Sequence, residues 1–212
     1  MTIDYWQSLE EHSIYHIYNH AAGSRNLFLR DKDYEKFLFG FHKYFGHIFD
    51  VYAYCFMPNH FHLLVRIKSE EMILKSIKNI GSNAELKYIE RKIDLNEYCN
   101  DQFRRWFSGY ALFLNHRLNV KGQLFLKKVK RVSIDQEQKL IYLICYIHHN
   151  PIHHKFKTKY KGWNFCSYLS YLGNEKTNVC RDEILELFGS ENIFIKLHEN
   201  FKVDFENSLN LE

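Results

Sequence analysis

Proline is nearly missing from this chain: there are two in 212 residues, Pro58 and Pro151. So little proline excludes collagen-like and proline-rich disordered architectures. The five cysteines, Cys55, Cys99, Cys145, Cys166 and Cys180, are odd in number and none sits in a Cys-x-x-Cys pair. That pattern argues against a disulfide framework and against a zinc ribbon, and it sets a reducing cytoplasm as the expected location. No apolar run approaches the roughly 20 residues of a membrane helix. The segment Met1 to Trp6 lacks the basic start and apolar centre of a signal peptide, so no membrane partner is expected. A large excess of one charge is also lacking. The formal charge of +4 and pI of about 8.7 permit a polyanionic partner without requiring one. Nothing in the chain calls for a small-molecule cofactor.

Aromatic residues are abundant, at 17%, with 18 Phe and 15 Tyr. They can fill a core, and they can stack on unpaired bases. The β-formers from Ser13 to Asn19 predict a strand. Tyr34, Phe37, Leu38, Phe41 and Phe45 recur at helical spacing and predict a helix over 33–45. Val51–Phe56 and His60–Ile67 predict two strands joined by the short Met-Pro-Asn link as an antiparallel hairpin. A helix is expected over 70–80 with Met72, Ile73, Ile77 and Ile80 inward. Residues 81–102 are charged and weakly patterned, and are expected to be an insertion or connection, helical in part. A long amphipathic helix is expected over 103–118. A basic strand is expected over 123–134. A helix opening on a capping box at Asp135 and Gln138 should then run to about His149, ended by Pro151. Two terminal helices, 180–188 and 192–201, complete the chain. This order is an α+β, ferredoxin-like split βαβ plan with an antiparallel sheet. The expected division is a catalytic domain over 9–173 and a C-terminal helical extension over 174–212.

Within the third strand, His60 and His62 are two residues apart and therefore share one face of the sheet. Phe61, Leu63, Val65 and Ile67 take the other face. Two neutral imidazoles placed this way can hold a divalent cation, although a bare His-x-His pair is more often an ordinary hydrogen-bonded sheet pair. On the helix after Asp135, Tyr142, Tyr146 and Asn150 share a face beside the apolar stripe. A tyrosine hydroxyl is a poor nucleophile at neutral pH and needs a base, or a metal that polarises its target. His60, His62 and Asn150 could supply that metal; Asn150 could also be a simple helix cap before proline.

Pro58-Asn59-His60-Phe61-His62-Leu63-Leu64-Val65 resembles the histidine–hydrophobic–histidine motif of single-tyrosine HUH transposases. Tyr146-Ile147-His148-His149-Asn150-Pro151 resembles the nucleophile helix of the REP-associated tyrosine transposase branch. Gly122-Gln123-Leu124-Phe125, the basic strand after it, and Ser167-Tyr168 resemble that branch as well. The likeness runs from about Ser13 to Gly173. It implies an HUH-endonuclease fold, with Tyr146 as nucleophile and His60, His62 and Asn150 as ligands of Mg²⁺ or Mn²⁺. It also implies cleavage of single-stranded DNA near hairpins through a 5′-phosphotyrosine, by a monomer or a homodimer.

One segment departs from the branch. Ile152-His153-His154-Lys155 stands where an Arg-Ala-Gly-like stretch is usual. The cluster His148, His149, His153 and His154 is expected to be a polar, DNA-facing surface. Lys127, Lys128, Lys130, Arg131, Arg104 and Arg105 are the expected DNA contacts, although lysines on a strand edge also discourage edge pairing. Two rival readings stand beside the transposase: a non-catalytic single-strand-binding module, and an HUH nickase of the replication-initiator class. Metal-independent binding without a covalent adduct marks the first. More than one active-site tyrosine, or an inverted histidine order, marks the second.

Overall fold

A computed structural model describes residues 4–77, 81–126, 128–156 and 159–202. Four strands make the sheet: β1 (Ile14–His20), β2 (Phe49–Met57), β3 (His60–Ile67) and β4 (Lys130–Ile134). Their spatial order is β2-β3-β1-β4, and every neighbouring pair is antiparallel. This is the sheet order expected of the split βαβ plan. Between the strands lie α1 (Asp31–Phe45), α2 (Glu70–Ser76), α3 (Asn83–Ile89) and α4 (Leu95–Leu118). After β4 come α5 (Glu137–His153), α6 (Arg181–Phe188) and α7 (Glu191–Asn200). None of the described helices is long and apolar enough to cross a membrane.

One face of the sheet is an aromatic layer. Phe61 packs against Phe37 of α1 and Trp106 of α4, with centroids 5.3 and 5.7 Å apart. Trp106 lies flat on Phe37 and donates its indole N–H to the Phe37 carbonyl at 3.0 Å. Gly40 makes this approach possible, because a Cβ there would stand 2.7 Å from Trp106 Cδ1. At the open end of the layer, Asp33 is fully buried. Its carboxylate accepts from the Leu29 and Arg30 N–H groups and from Arg117 of α4 at 2.7 Å. A buried charge paired and hydrogen-bonded in this way ties the start of α1 to the end of α4.

The opposite face carries α5. Leu140, Leu143, Ile144 and Ile147 are buried as expected, but the burial extends around the helix to Tyr146, His148, His149 and Asn150. The sheet covers one side of α5, and α7 covers the other through Phe194 and His198. The terminal helices have no core of their own; Ile184, Phe188 and Phe194 continue that of the sheet and α5.

Several expectations are corrected. The long helix begins well before the expected residue 103: the partly helical region 81–102 holds α3 and two further turns of α4, opened by a capping box between Asp94 and Glu97. Asp135 is not the N-cap: α5 starts at Glu137, with Gln136 in the cap position and no side-chain cap bond there. α5 also passes through Pro151. The proline removes one donor in the last turn, and the helix resumes with His154 N–H on the Asn150 carbonyl at 3.0 Å. β4 is five residues long rather than twelve: its pairing with β1 stops at Tyr18 and Lys130, and among the described residues the segment before it makes an isolated bridge, Ala21 to Phe125, in a register shifted by two residues. α2 stops at Ser76, and Met72 is 54% exposed rather than inward. Ile80 and Lys127 lie outside the described residues.

Candidate active site

The turn at Pro58 and Asn59 is fixed from outside the hairpin. The Pro58 carbonyl accepts from Leu27 N–H at 2.7 Å and Phe28 N–H at 3.0 Å, and the Asn59 carbonyl accepts from Ala21 N–H at 2.7 Å. β3 leaves this turn with His60 and His62 on the face toward α5. The register sets Tyr18 opposite His62 and His20 opposite His60, so β1 adds its own alternate residues, His16, Tyr18 and His20, to the same face. His16 and His62 are joined by ring nitrogens, Nε2 to Nδ1, at 2.9 Å. Tyr18 stacks on both rings, and His20 stacks on His60 at 4.9 Å. Burial, and then the neighbouring histidines, push the His62 pKa well below its ordinary value. His62 is therefore held neutral, the form with a lone pair to offer.

α5 brings the second half of the site. Tyr146 is 0% exposed, with its ring 6.0 Å from His62 and nearly perpendicular to it. Asn150, one turn on, donates its amide Nδ2 to the Tyr146 carbonyl at 3.1 Å, which turns Oδ1 toward His60 Nε2 at 3.4 Å. The continuation of α5 beyond Pro151 swings His154 onto His60, with ring centroids 4.5 Å apart, and sets the His153 ring 6.1 Å from Tyr146.

The donor set fits a divalent cation. The Asn59 side-chain oxygen accepts from His60 Nδ1 at 2.8 Å, so His60 Nε2 is left as an acceptor facing another acceptor, Asn150 Oδ1. Two lone pairs pointed at each other call for a proton or a cation between them. His62 Nε2 is buried and has no hydrogen-bond partner among the described residues. Two imidazoles and one amide oxygen are an incomplete shell for Mg²⁺ or Mn²⁺ and leave positions for phosphate oxygens. No three His, Cys, Asp or Glu side chains among the described residues make a metal site by themselves.

The rest of the histidine cluster is not a DNA-facing surface. His148 is fully buried and hydrogen-bonded to His198 of α7 and to Ser167, each at 2.8 Å. His149 turns back to the Cys145 carbonyl at 2.8 Å. Burial lowers the pKa of both, and that of His198 to about 3.

The basic residues divide. Arg131 is buried, donates to Asn100 at 2.9 Å, and has no partner for its Nε among the described residues. Arg104 is paired with Asp101 at the surface, and Arg105 lies 3.8 Å from Glu85 and over Tyr44. Arg104, Lys128 and Arg131 line one cleft of about 620 Å³ together with Trp6, Phe103 and Phe107. Trp6 is 51% exposed there, with Lys128 Nζ 5.3 Å above its ring. Lys130 reaches instead over Tyr5 and Tyr18, at 5.0 and 5.2 Å. His16, Tyr18, His20 and Trp6 escaped the sequence reading. For the first three a signal existed: the same period-two spacing that singled out His60 and His62.

The family described as Transposase IS200 like matches residues 11–122. No curated protein matches the chain. Among solved structures, the chain is similar to a REP-associated tyrosine transposase bound to a REP hairpin. The TM-score is 0.55 and the identity 13%, over 81% of this chain and 86% of that one.

Proposed function

The chain belongs to the IS200-like transposase family, and from that membership we propose that it cuts and rejoins single-stranded DNA beside a hairpin, with Tyr146 as nucleophile. The observation that carries this reading is the meeting of His60, His62 and Asn150 with Tyr146 on one face of the sheet. The Tyr146 oxygen attacks phosphorus, the bond to the 3′ oxygen breaks, and the 3′ oxygen leaves with a proton as a hydroxyl. The product is a 5′-phosphotyrosine. One phosphodiester is exchanged for another, so attack by a different 3′-hydroxyl rejoins strands without ATP. His60, His62 and Asn150 would hold Mg²⁺ or Mn²⁺, which supplies charge neutralisation at the scissile phosphate. Asn150 also fixes the last turn of α5 by its bond to the Tyr146 carbonyl. His153, with its ring 6.1 Å from that of Tyr146, is the side chain proposed to receive the phenolic proton.

Tyr146 is fully buried, so its side chain must become accessible to the DNA strand before the reaction. Hairpin binding is proposed by analogy with the REP-associated relative. The cleft between Trp6, Arg104 and Lys128 suits an unpaired base stacked on the indole with its phosphate on the cations.

The test is a denaturing gel after incubation with single-stranded hairpin DNA and Mn²⁺. A protein–DNA adduct is expected from the wild type and none from Tyr146→Phe, with binding retained; an undiminished adduct from that variant refutes the assignment. The complete burial of Tyr146 favours a second reading, a binding module without catalysis. Metal-independent hairpin binding with no adduct under any condition would select it.

A further inference from the structure

We propose that His16 is a positioning residue that holds His62 in the one tautomer able to face a cation. This rests on the metal-dependent reading above. The register places His16 opposite Leu64, so on the shared face it is the diagonal neighbour of His62. The two rings lie within 11° of parallel, with centroids 5.1 Å apart and Nε2 to Nδ1 at 2.9 Å. That is the geometry of an in-plane hydrogen bond between ring nitrogens, in which N–H and lone pair both lie in the ring planes.

A single proton between two neutral imidazoles has two homes. If His16 Nε2 carries it, His62 accepts at Nδ1 and must hold its own proton on Nε2. An N–H then points into the site and repels a cation. If His62 Nδ1 carries it and donates to His16 Nε2, the His62 Nε2 lone pair faces the site. His60 has the corresponding outer partner in Asn59, whose side-chain oxygen accepts from Nδ1. His62 depends on an imidazole that can accept or donate. It is fully buried, so no solvent can replace that partner. A cation selects the second arrangement, and His16 makes the selection possible by being an acceptor at that place. Outer partners of metal-bound histidines commonly act in this way.

The test compares Mn²⁺ binding by calorimetry, without DNA, in the wild type and in His16→Phe, His16→Gln and His62→Ala. Glutamine keeps an acceptor oxygen within reach of His62 Nδ1; phenylalanine keeps the ring without one. His16→Phe is expected to weaken Mn²⁺ binding about 10- to 100-fold, with His16→Gln recovering most of it. Nitrogen-15 spectra of the histidines with diamagnetic Mg²⁺ are expected to place the His62 proton on Nδ1. A folded His16→Phe that binds Mn²⁺ as the wild type does, or a His62 proton on Nε2 in the Mg²⁺ form, overturns the inference. If His16→Phe does not fold, His16→Gln and the spectra decide. Mn²⁺ binding lost in His62→Ala but kept in His16→Phe refutes the role of His16 alone. Binding unchanged in His62→Ala refutes the metal reading and this inference with it.

Discussion

Acid should unfold this protein through a buried histidine pair whose burial opposes an extra proton. Tyr54 N–H donates to Ser167 Oγ at 2.9 Å, and Ser167 bonds His148 Nε2 at 2.8 Å. His148 Nδ1 meets His198 Nε2 at 2.8 Å, and His198 Nδ1 donates to the Phe194 carbonyl at 2.8 Å. A carbonyl can only accept, so His198 Nδ1 carries a proton, and burial holds both imidazoles neutral by opposing a second one. Burial is the main cause that lowers the His198 pKa, to about 3. Above the ordinary value of 6.5 neither the folded nor the unfolded chain protonates this residue, and its contribution to stability is flat. Below it the unfolded chain takes up a proton that the folded chain refuses, so stability falls as pH falls.

At about pH 5 the loss is about 2 kcal/mol from His198 alone, from about 1.4 kcal/mol per pH unit over about 1.5 units. The variant His198→Gln keeps an acceptor for His148 Nδ1 and removes the titration. It is expected to be less stable than the wild type by about 1–3 kcal/mol at neutral pH, through the altered hydrogen bonds and packing. That gap should close by about 2 kcal/mol at about pH 5. The assay is urea unfolding followed by circular dichroism, in EDTA, across that range. Titrating groups remote from His198 are common to both proteins and cancel in the difference; His148 and His149, which His198 itself shifts, do not cancel fully. Parallel stability profiles for the two would show that His198 is protonated in the folded state, and the neutral chain would be wrong.

Two further outcomes test the surroundings of the site. Gly40→Ala adds a Cβ 2.7 Å from Trp106 Cδ1, against a ring held by its bond to Phe37. The overpacking should outweigh the helix-propensity gain and cost about 1–2 kcal/mol, read as a lower unfolding midpoint; a stabilised variant would contradict the close packing of α1 and α4. Trp6→Ala should weaken single-stranded DNA binding by about 1–3 kcal/mol, the value of one base-stacking platform, with no change in Mn²⁺ affinity. Unchanged binding in a fluorescence-anisotropy titration would remove the cleft from the DNA path.

The topology was legible because the strands announce themselves by period and the Pro58-Asn59 turn is short. The histidine pair and the Tyr146–Asn150 spacing were legible for the same reason: each lies within one element, and periodicity alone sets which face it takes. What was not legible is what one element does to another. Pro151 ends a helix by local preference, yet it sits in the last turn, where only one hydrogen bond is lost and packing against the sheet prevails. His148 reads as surface until His198, fifty residues later, arrives as its partner. The extra turns of α4 carried a signal in Leu95, Tyr98, Cys99 and Gln102, all buried, but the polar residues between them obscured it. Arg131 shows the converse: a basic residue in a basic stretch, turned inward to Asn100.

The two faces of the sheet place folding and chemistry under opposed mutational pressures. The layer of Phe37, Phe61 and Trp106 gains stability from every well-fitted apolar atom. The opposite face spends buried positions on His16, His60 and His62, where a well-packed aliphatic side chain would be cheaper to bury. Random drift at those three positions therefore runs toward a sturdier but inert protein, and only selection for the chemistry holds it back. Copies of such a gene released from that selection should lose the imidazole face first, while the aromatic layer and the strand order persist.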